Sequence, residues 1–178
     1  LDSGKWRGTN KDAEGFISPL RERFGSLNGA NVAVIGAGGA ARACVYALRR
    51  EGANVTVLAR NTTKAKPLAE EFGAKLLPLE ALERPDILVN TTPIGTRGEH
   101  ESETPLAAEF LHGINLVYDL TYNPRETRLL REASEAGCET LDGLEMLIRQ
   151  AAAQFKIWTG YEAEAGVMLA AATKQLEK

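Results

Sequence analysis

"NVAVIGAGGAARACVYALRREG", residues 31–52, changes character twice. It opens as a β-branched apolar run, turns over on glycines, and continues as an alanine-rich segment that closes on Gly52. The first part reads as a buried strand and the last as a helix released by a glycine C-cap. Between them Gly36, Gly38 and Ala41 fit the pattern G-x-G-x-x-A. Gly36 permits a tight turn out of the strand. Gly38 lets the backbone approach a pyrophosphate at the positive end of the helix, and Ala41 keeps helix and strand close. Glycines so spaced can also serve packing alone. A strand before them and a helix after them are the context that a dinucleotide-binding loop requires.

The neighbouring segments repeat the alternation. Residues 53–60 (ANVTVLAR), 74–79 (AKLLPL), 86–91 (DILVNT) and 114–120 (INLVYDL) read as further strands, with 138–141 (CETL) as a short edge strand. Continuous apolar runs suit strands covered on both faces. Helical patterns fill residues 62–73 and 124–137, each ending in glycine. For the second of these, Asn123 as cap, Pro124 at the first position and Glu126 in the first turn predict the start. The expected fold is an α/β, Rossmann-like doubly wound parallel sheet with flanking helices and two C-terminal helices. Asp142 predicts the cap of the first C-terminal helix, with Glu145 three residues on. Leu144, Leu147, Ile148, Ala151, Phe155 and Trp158 lay an apolar stripe along it, flanked by Gln150 and Gln154. Residues 161–178 read as the last helix.

The end of the second strand bears on which dinucleotide would bind. An NAD site usually places an acid there to hold the ribose hydroxyls. This chain has Ala59, then Arg60, Asn61, Thr62, Thr63, Lys64 and Lys66, with no acid between Gly52 and Glu70. Cations and short polar side chains suit a 2′-phosphate. A solvated helix start would look similar, but cations in a helix's first turn oppose its dipole. The expected cofactor is therefore NADP. At the end of the fourth strand, "NTTPIG" (residues 90–95) brings Thr91, Thr92 and Pro93 to the strand carboxyl ends, where open α/β sheets bind ligands.

The bulk composition narrows the alternatives. The 178 residues suffice for one sizeable core, and 44% hydrophobic with 25% charged residues is the balance of a soluble globular protein. A net charge of −3 argues against a general nucleic-acid or anionic-membrane binder. Cys44 and Cys138 match no metal or disulfide framework, so no metal is expected and a reducing compartment is. With no apolar run long enough to span a bilayer and no leader pattern, the expected setting is the cytoplasm. The polar loop 96–107, with His100 inside it, carries no motif.

Taken in order, "GTNKDAEGF", "VIGAGGAAR", "ARNTTKAK", "NTTPIG", "YDLTYNPRETRLL" and "GLEMLIRQAAAQFKIWTG" resemble the shikimate dehydrogenase family nearly end to end. The resemblance implies NADP-dependent reduction of 3-dehydroshikimate to shikimate, in aromatic amino-acid biosynthesis. It makes Asp12 the catalytic-site aspartate, also in reach of substrate. It makes Gly36, Ala37, Gly38, Gly39 and Ala40 the phosphate loop, and residues 59–64 the adenosine-phosphate patch. By the same resemblance Leu120 and Gly143 line the nicotinamide pocket, while Tyr122 and Gln150 reach the substrate. Tyr122 follows a strand's carboxyl end, and Gln150 can both donate and accept, which suits a hydroxylated ring.

Two departures stand out. The family's Asn-Thr-Asp is Asn10-Lys11-Asp12 here. A cation beside Asp12 favours its ionised form if the two side chains converge. The family also carries an N-terminal substrate domain whose lysine pairs with the aspartate, and no lysine here matches it. The implied division is residues 1–24 as the tail of that domain with a connecting helix capped by Asp12, 25–142 as the NADP-binding domain, and 143–178 as helices packing back toward the substrate domain. The chain alone is then expected to bind NADP and turn over poorly. A quinate-type dehydrogenase, the dehydrogenase part of a bifunctional dehydratase–dehydrogenase, and a non-catalytic NADP-binding module remain as alternatives.

Overall fold

In β1 (Asn31–Ile35) every residue after the first is buried. Its side chains alternate between two cores: Val32 and Val34 join one, Ala33 and Ile35 the other. That double burial is why the segment is apolar throughout rather than alternating. The computed structural model, which describes residues 11–176, places β1 at the centre of a six-stranded parallel sheet. The other strands are β2 (Asn54–Ala59), β3 (Lys75–Pro78), β4 (Ile87–Asn90), β5 (Leu116–Asp119) and β6 (Glu139–Leu141). Their order is β3-β2-β1-β4-β5-β6, so the chain reverses direction across β1 and β4, and β6 lies at an edge as its sequence predicts.

Helices cover both faces. α1 (Asp12–Phe24), α2 (Gly39–Arg50) and α3 (Thr62–Phe72) contribute Phe16, Leu20, Cys44, Leu48 and Leu68 to one core. Phe16 stacks on Tyr118 of β5 with centroids 5.3 Å apart, which ties α1 to the sheet. α4 (Arg128–Glu135) covers the opposite face through Leu129, Leu130 and Ala133. α5 (Gly143–Thr159) crosses α1, and α6 (Ala165–Leu176) follows it.

Five local expectations change. Asp12 does not cap α1: Lys11 holds the cap position and Asp12 is the first helical residue. α4 begins at Arg128, not Pro124, because Thr127 is its cap, accepting from Leu130 N–H at 3.3 Å. The hydroxyl of Thr127 has a second, buried partner in Asp119, a contact that local sequence does not display. Asp142 caps α5 as predicted, accepting from Leu144 N–H at 2.9 Å, but Glu145 pairs with Arg23 of α1 at 2.9 Å. Finally, the stripe along α5 is only half covered. Of its residues Leu144 and Ile148 are buried and Leu147 and Ala151 half-buried, while Phe155 lies open and Trp158 is 77% exposed. The last helix starts at Ala165 rather than Tyr161. Residues 8–10, the start of "GTNKDAEGF", lie outside the described residues.

Candidate active site

The candidate residues follow strand ends along one carboxyl edge. At its middle, Gly36 leaves β1 with φ +112°, a conformation that L side chains rarely adopt. Its N–H donates to Leu58 O at 2.9 Å, and a Cβ there would lie 2.5 Å from Thr91 Oγ1. Thr91 in turn donates that hydroxyl to Ile35 O at 2.6 Å. The exits of β1, β2 and β4 are thus held together at a point where only hydrogen fits. Gly38 occupies the cap position of α2, no side chain caps that helix, and no acid stands in its first turn. Its leading N–H groups remain available to an anion, at the positive end of the helix.

From this point a groove of about 730 Å³ runs over the end of β1. Gly36, Ala37, Gly38, Ala59, Arg60, Asn61 and Lys64 line it from the β1 and β2 exits. Thr91, Thr92, Pro93, His100 and Glu103 line it from beyond β4. Gly39, Thr62 and Thr63 are not among its walls. Asn61 has a structural task as well, since its carbonyl oxygen accepts from Lys64 N–H at 3.0 Å and caps α3. Arg60 and Lys64 supply the positive charge of this stretch.

A second groove, of about 550 Å³, lies on the far side of the Thr91-Thr92-Pro93 ridge. Ala40, Leu120, Thr121 and Tyr122 line it, together with Thr96 and Arg97. Arg97 carries no motif, and its one signal in the sequence is a cation two residues past the "NTTPIG" turn. Gly143 sits behind Leu120. Its N–H donates to Thr121 O at 3.0 Å, and a Cβ would fall 2.0 Å from Leu120 O, so the start of α5 can press this loop into place only as glycine.

Beneath the second groove is a buried polar network that the sequence did not announce. Asp119 is fully buried at the end of β5. It accepts from Asn90 Nδ2 and Thr121 N–H, both at 3.0 Å, and from the Thr127 hydroxyl at 2.7 Å. Asn90 passes the connection on, its Oδ1 accepting from Thr92 N–H at 3.0 Å and from the Thr92 hydroxyl at 2.7 Å. One carboxyl group therefore fixes the β4 turn, the β5 loop and the cap of α4. Burial holds its proton affinity above the ordinary aspartate range, against the pull of the three donors.

Asp12 and Gln150 meet at the crossing of α1 and α5, where Gln150 Nε2 donates to Asp12 Oδ1. The approach depends on Gly15, whose added Cβ would lie 2.6 Å from Gln150 Cγ and 3.1 Å from Met146 O. The charge of Asp12 is felt by Cys44 in α2. Burial first, and that charge second, push the thiol far above its ordinary range, which leaves it an inert core residue. The described residues hold no cluster of metal-ligating side chains, and no helix among them is long and apolar enough to cross a membrane.

A parallel sheet with its direction reversed beside β1, a glycine turn into α2 and two grooves along one carboxyl edge define a Rossmann-type α/β domain. The chain belongs to the shikimate/quinate dehydrogenase family: the model described as shikimate / quinate 5-dehydrogenase matches residues 19–145. The shikimate 5'-dehydrogenase C-terminal domain model matches residues 143–173. A shikimate dehydrogenase (NADP(+)) of Methanocella arvoryzae is 46% identical over 177 residues, covering 94% of this chain and 65% of its own length. The chain therefore spans about two-thirds of that relative. Shikimate 5-dehydrogenase from Thermus thermophilus, solved with NADP(H) and shikimate, superposes with a TM-score of 0.85 at 41% identity. That match covers 94% of this chain and 63% of the other. Quinate dehydrogenase from Corynebacterium glutamicum, solved with NAD, superposes with a TM-score of 0.83 at 31% identity, over 94% and 63% of the two chains.

Proposed function

We propose that this chain is the NADP-binding part of a cytoplasmic enzyme that reduces 3-dehydroshikimate to shikimate. The observation that carries the reading is the presence of two distinct sites in one chain. A cationic groove without an acid at the β2 exit is accompanied by a separate corner where Asp12 and Gln150 converge. In this reading the leading N–H groups of α2 and the backbone of Gly36, Ala37, Gly38, Gly39 and Ala40 take the pyrophosphate. Ala59, Arg60, Asn61 and Lys64 take the 2′-phosphate end, with Thr62 and Thr63 offering backbone N–H groups in the first turn of α3. Thr91, Thr92, Pro93, Leu120 and Gly143 shape the nicotinamide pocket.

NADPH, when bound, supplies the hydride; the chain's residues position the ketone and manage the proton. Asp12 governs the proton at the forming alkoxide, together with a lysine from the third of the family's length that this chain does not span. Gln150 orients Asp12 and, with Tyr122, reaches the substrate hydroxyls. Residues 25–142 form the cofactor domain, and 1–24 with 143–178 form the side that meets the substrate domain. The 178-residue chain by itself then binds NADPH but turns over poorly.

The test is NADPH consumption by the whole protein with 3-dehydroshikimate. Asp12→Asn is expected to lower kcat by about 10²-fold or more while leaving NADPH affinity within about twofold. Full activity in that variant removes Asp12 from the proton path. Robust turnover by the 178-residue chain alone contradicts the need for the remaining third.

A further inference from the structure

We propose that His100, held by Glu103 on the β4 side of the first groove, is a recognition residue for the cofactor's 2′-phosphate and sets the preference for NADP over NAD together with Arg60. The inference rests on the 2′-phosphate reading above and extends it to a loop that carries no motif.

Three observations place it. First, topology puts the two halves of the site on either side of β1. Arg60 and Lys64 follow β2, and the loop bearing His100 follows β4. His100 and Glu103 nonetheless line the same groove as Arg60, Asn61 and Lys64. Second, His100 is fixed rather than free. Its Nδ1 lies 2.9 Å from Glu103 Oε1, and its carbonyl accepts from Gly95 N–H at 2.9 Å and from Glu103 N–H at 3.1 Å. With Nδ1–H donating to Glu103, the protonated ring has Nε2–H left as a donor for an anion. Third, His100 and Arg60 are close enough to feel each other's charge.

The charges around the ring decide its state. Glu103 and, more weakly, Glu99 favour the imidazolium, while Arg60 opposes it; the net effect raises the proton affinity of His100. A bound 2′-phosphate adds negative charge and raises it further. Protonated, the pair presents a cation to the groove, with Glu103 neutralised behind it. Deprotonated, His100 keeps a single N–H, and with that bonded to Glu103 its Nε2 turns a lone pair rather than a donor toward the phosphate, while the charge of Glu103 is left uncompensated. NADP preference should therefore weaken as pH rises through the histidine range, whereas NAD, which lacks the phosphate, should be indifferent.

The experiment is calorimetric titration of the whole protein with NADPH and NADH, from about pH 6 to about pH 8.5. His100→Ala and His100→Gln are measured beside the parent protein. Comparing each variant with the parent at the same pH cancels the ionisation of the phosphate itself. At the acidic end His100→Ala is expected to weaken NADPH binding about five- to tenfold, the scale of one charge-assisted hydrogen bond. NADH binding stays within about twofold. The gap to the parent closes to about twofold at the alkaline end. His100→Gln keeps a neutral donor, recovers part of the affinity, and shows no pH-dependent gap. An unchanged NADPH affinity in His100→Ala overturns the proposal, and so does a loss shared equally by NADH. Failure of the parent protein to prefer NADPH at any pH is a different result, because it removes the 2′-phosphate reading itself.

Discussion

The two halves of the sheet's carboxyl edge are built by opposite means. At the β1 and β2 exits, shape comes from atoms that are absent: Gly36 passes Thr91 where no Cβ fits, and α2 begins without a side-chain cap. Donors and cations there stay open to solvent. At the β4 and β5 exits, shape comes from buried polar side chains that satisfy one another around Asp119. The first half can lend its hydrogen-bonding groups to a ligand. The buried network of the second has none to lend, and instead holds still the loops that carry His100 and Tyr122. Substitutions should accordingly cost binding in the first half and stability in the buried network of the second.

The sharpest challenge to that division is Gly143, where the second half also depends on a missing Cβ. Alanine there would put a carbon 2.0 Å from Leu120 O, a backbone atom that cannot rotate away. We expect Gly143→Ala to destabilise the protein by about 4 kcal/mol in urea unfolding, with nicotinamide-side binding lost as well. A stable Gly143→Ala would mean that α5 can slide off the Leu120 loop, and that the second half is less rigid than its network implies.

Asp119 comes next. Asp119→Ala strands the donors of Asn90 and Thr127 in the core and should cost about 3 kcal/mol. Asp119→Asn keeps an acceptor for Asn90 and Thr121 and can donate to Thr127, so it should cost about 1 kcal/mol. The pH dependence separates the two roles. The folded-state proton affinity of Asp119 is raised, so the native state holds this proton to higher pH than the unfolded chain does. Its contribution is complete below the unfolded aspartate value, about pH 4, and falls as pH rises through the folded value. The stability of the parent protein relative to Asp119→Asn should therefore decline as pH rises from about 4 toward neutrality. A flat difference would show that the three donors fully offset burial.

A smaller effect belongs to the corner where α1 crosses α5. Gly15→Ala must displace Gln150, since the new carbon falls 2.6 Å from its Cγ, and it also crowds Met146 O. We expect about 1–2 kcal/mol of stability and about a tenfold fall in kcat/KM for 3-dehydroshikimate, with NADPH affinity unchanged. Because both cofactor grooves lie apart from this crossing, a parallel loss of NADPH binding would show that the corner and the edge are coupled.

How much of this was legible in the sequence follows the same division. The glycine loop, the strand series and the cationic stretch after β2 are local patterns, each readable from a few consecutive residues. The Asp119 network joins Asn90, Thr121 and Thr127 from three separate segments, and nothing in their spacing announces it. Its one signal is an acid inside the apolar run "NLVYDL". The same non-local partner sets the start of α4: Asn123-Pro124 has the local form of a cap, but Thr127 has both Leu130 N–H and Asp119 to bind. The apolar stripe of α5 was readable as a stripe, but periodicity alone does not say what covers Phe155 and Trp158.

The mildest substitution tests the first half most directly. Arg60 is exposed at the groove and helps hold no buried network, so Arg60→Asp should fold as the parent does. Reversing its charge places an acid where NAD-type sites keep one. NADPH affinity should fall about tenfold, and NADH affinity should hold or improve by about twofold, read by fluorescence titration at low salt. Added salt should narrow the gap, since the groove is open and its charges are screened. Equal loss of both cofactors would mean that Arg60 shapes the groove rather than reads the phosphate. The open half of the edge would then work by fit alone, as the buried half does.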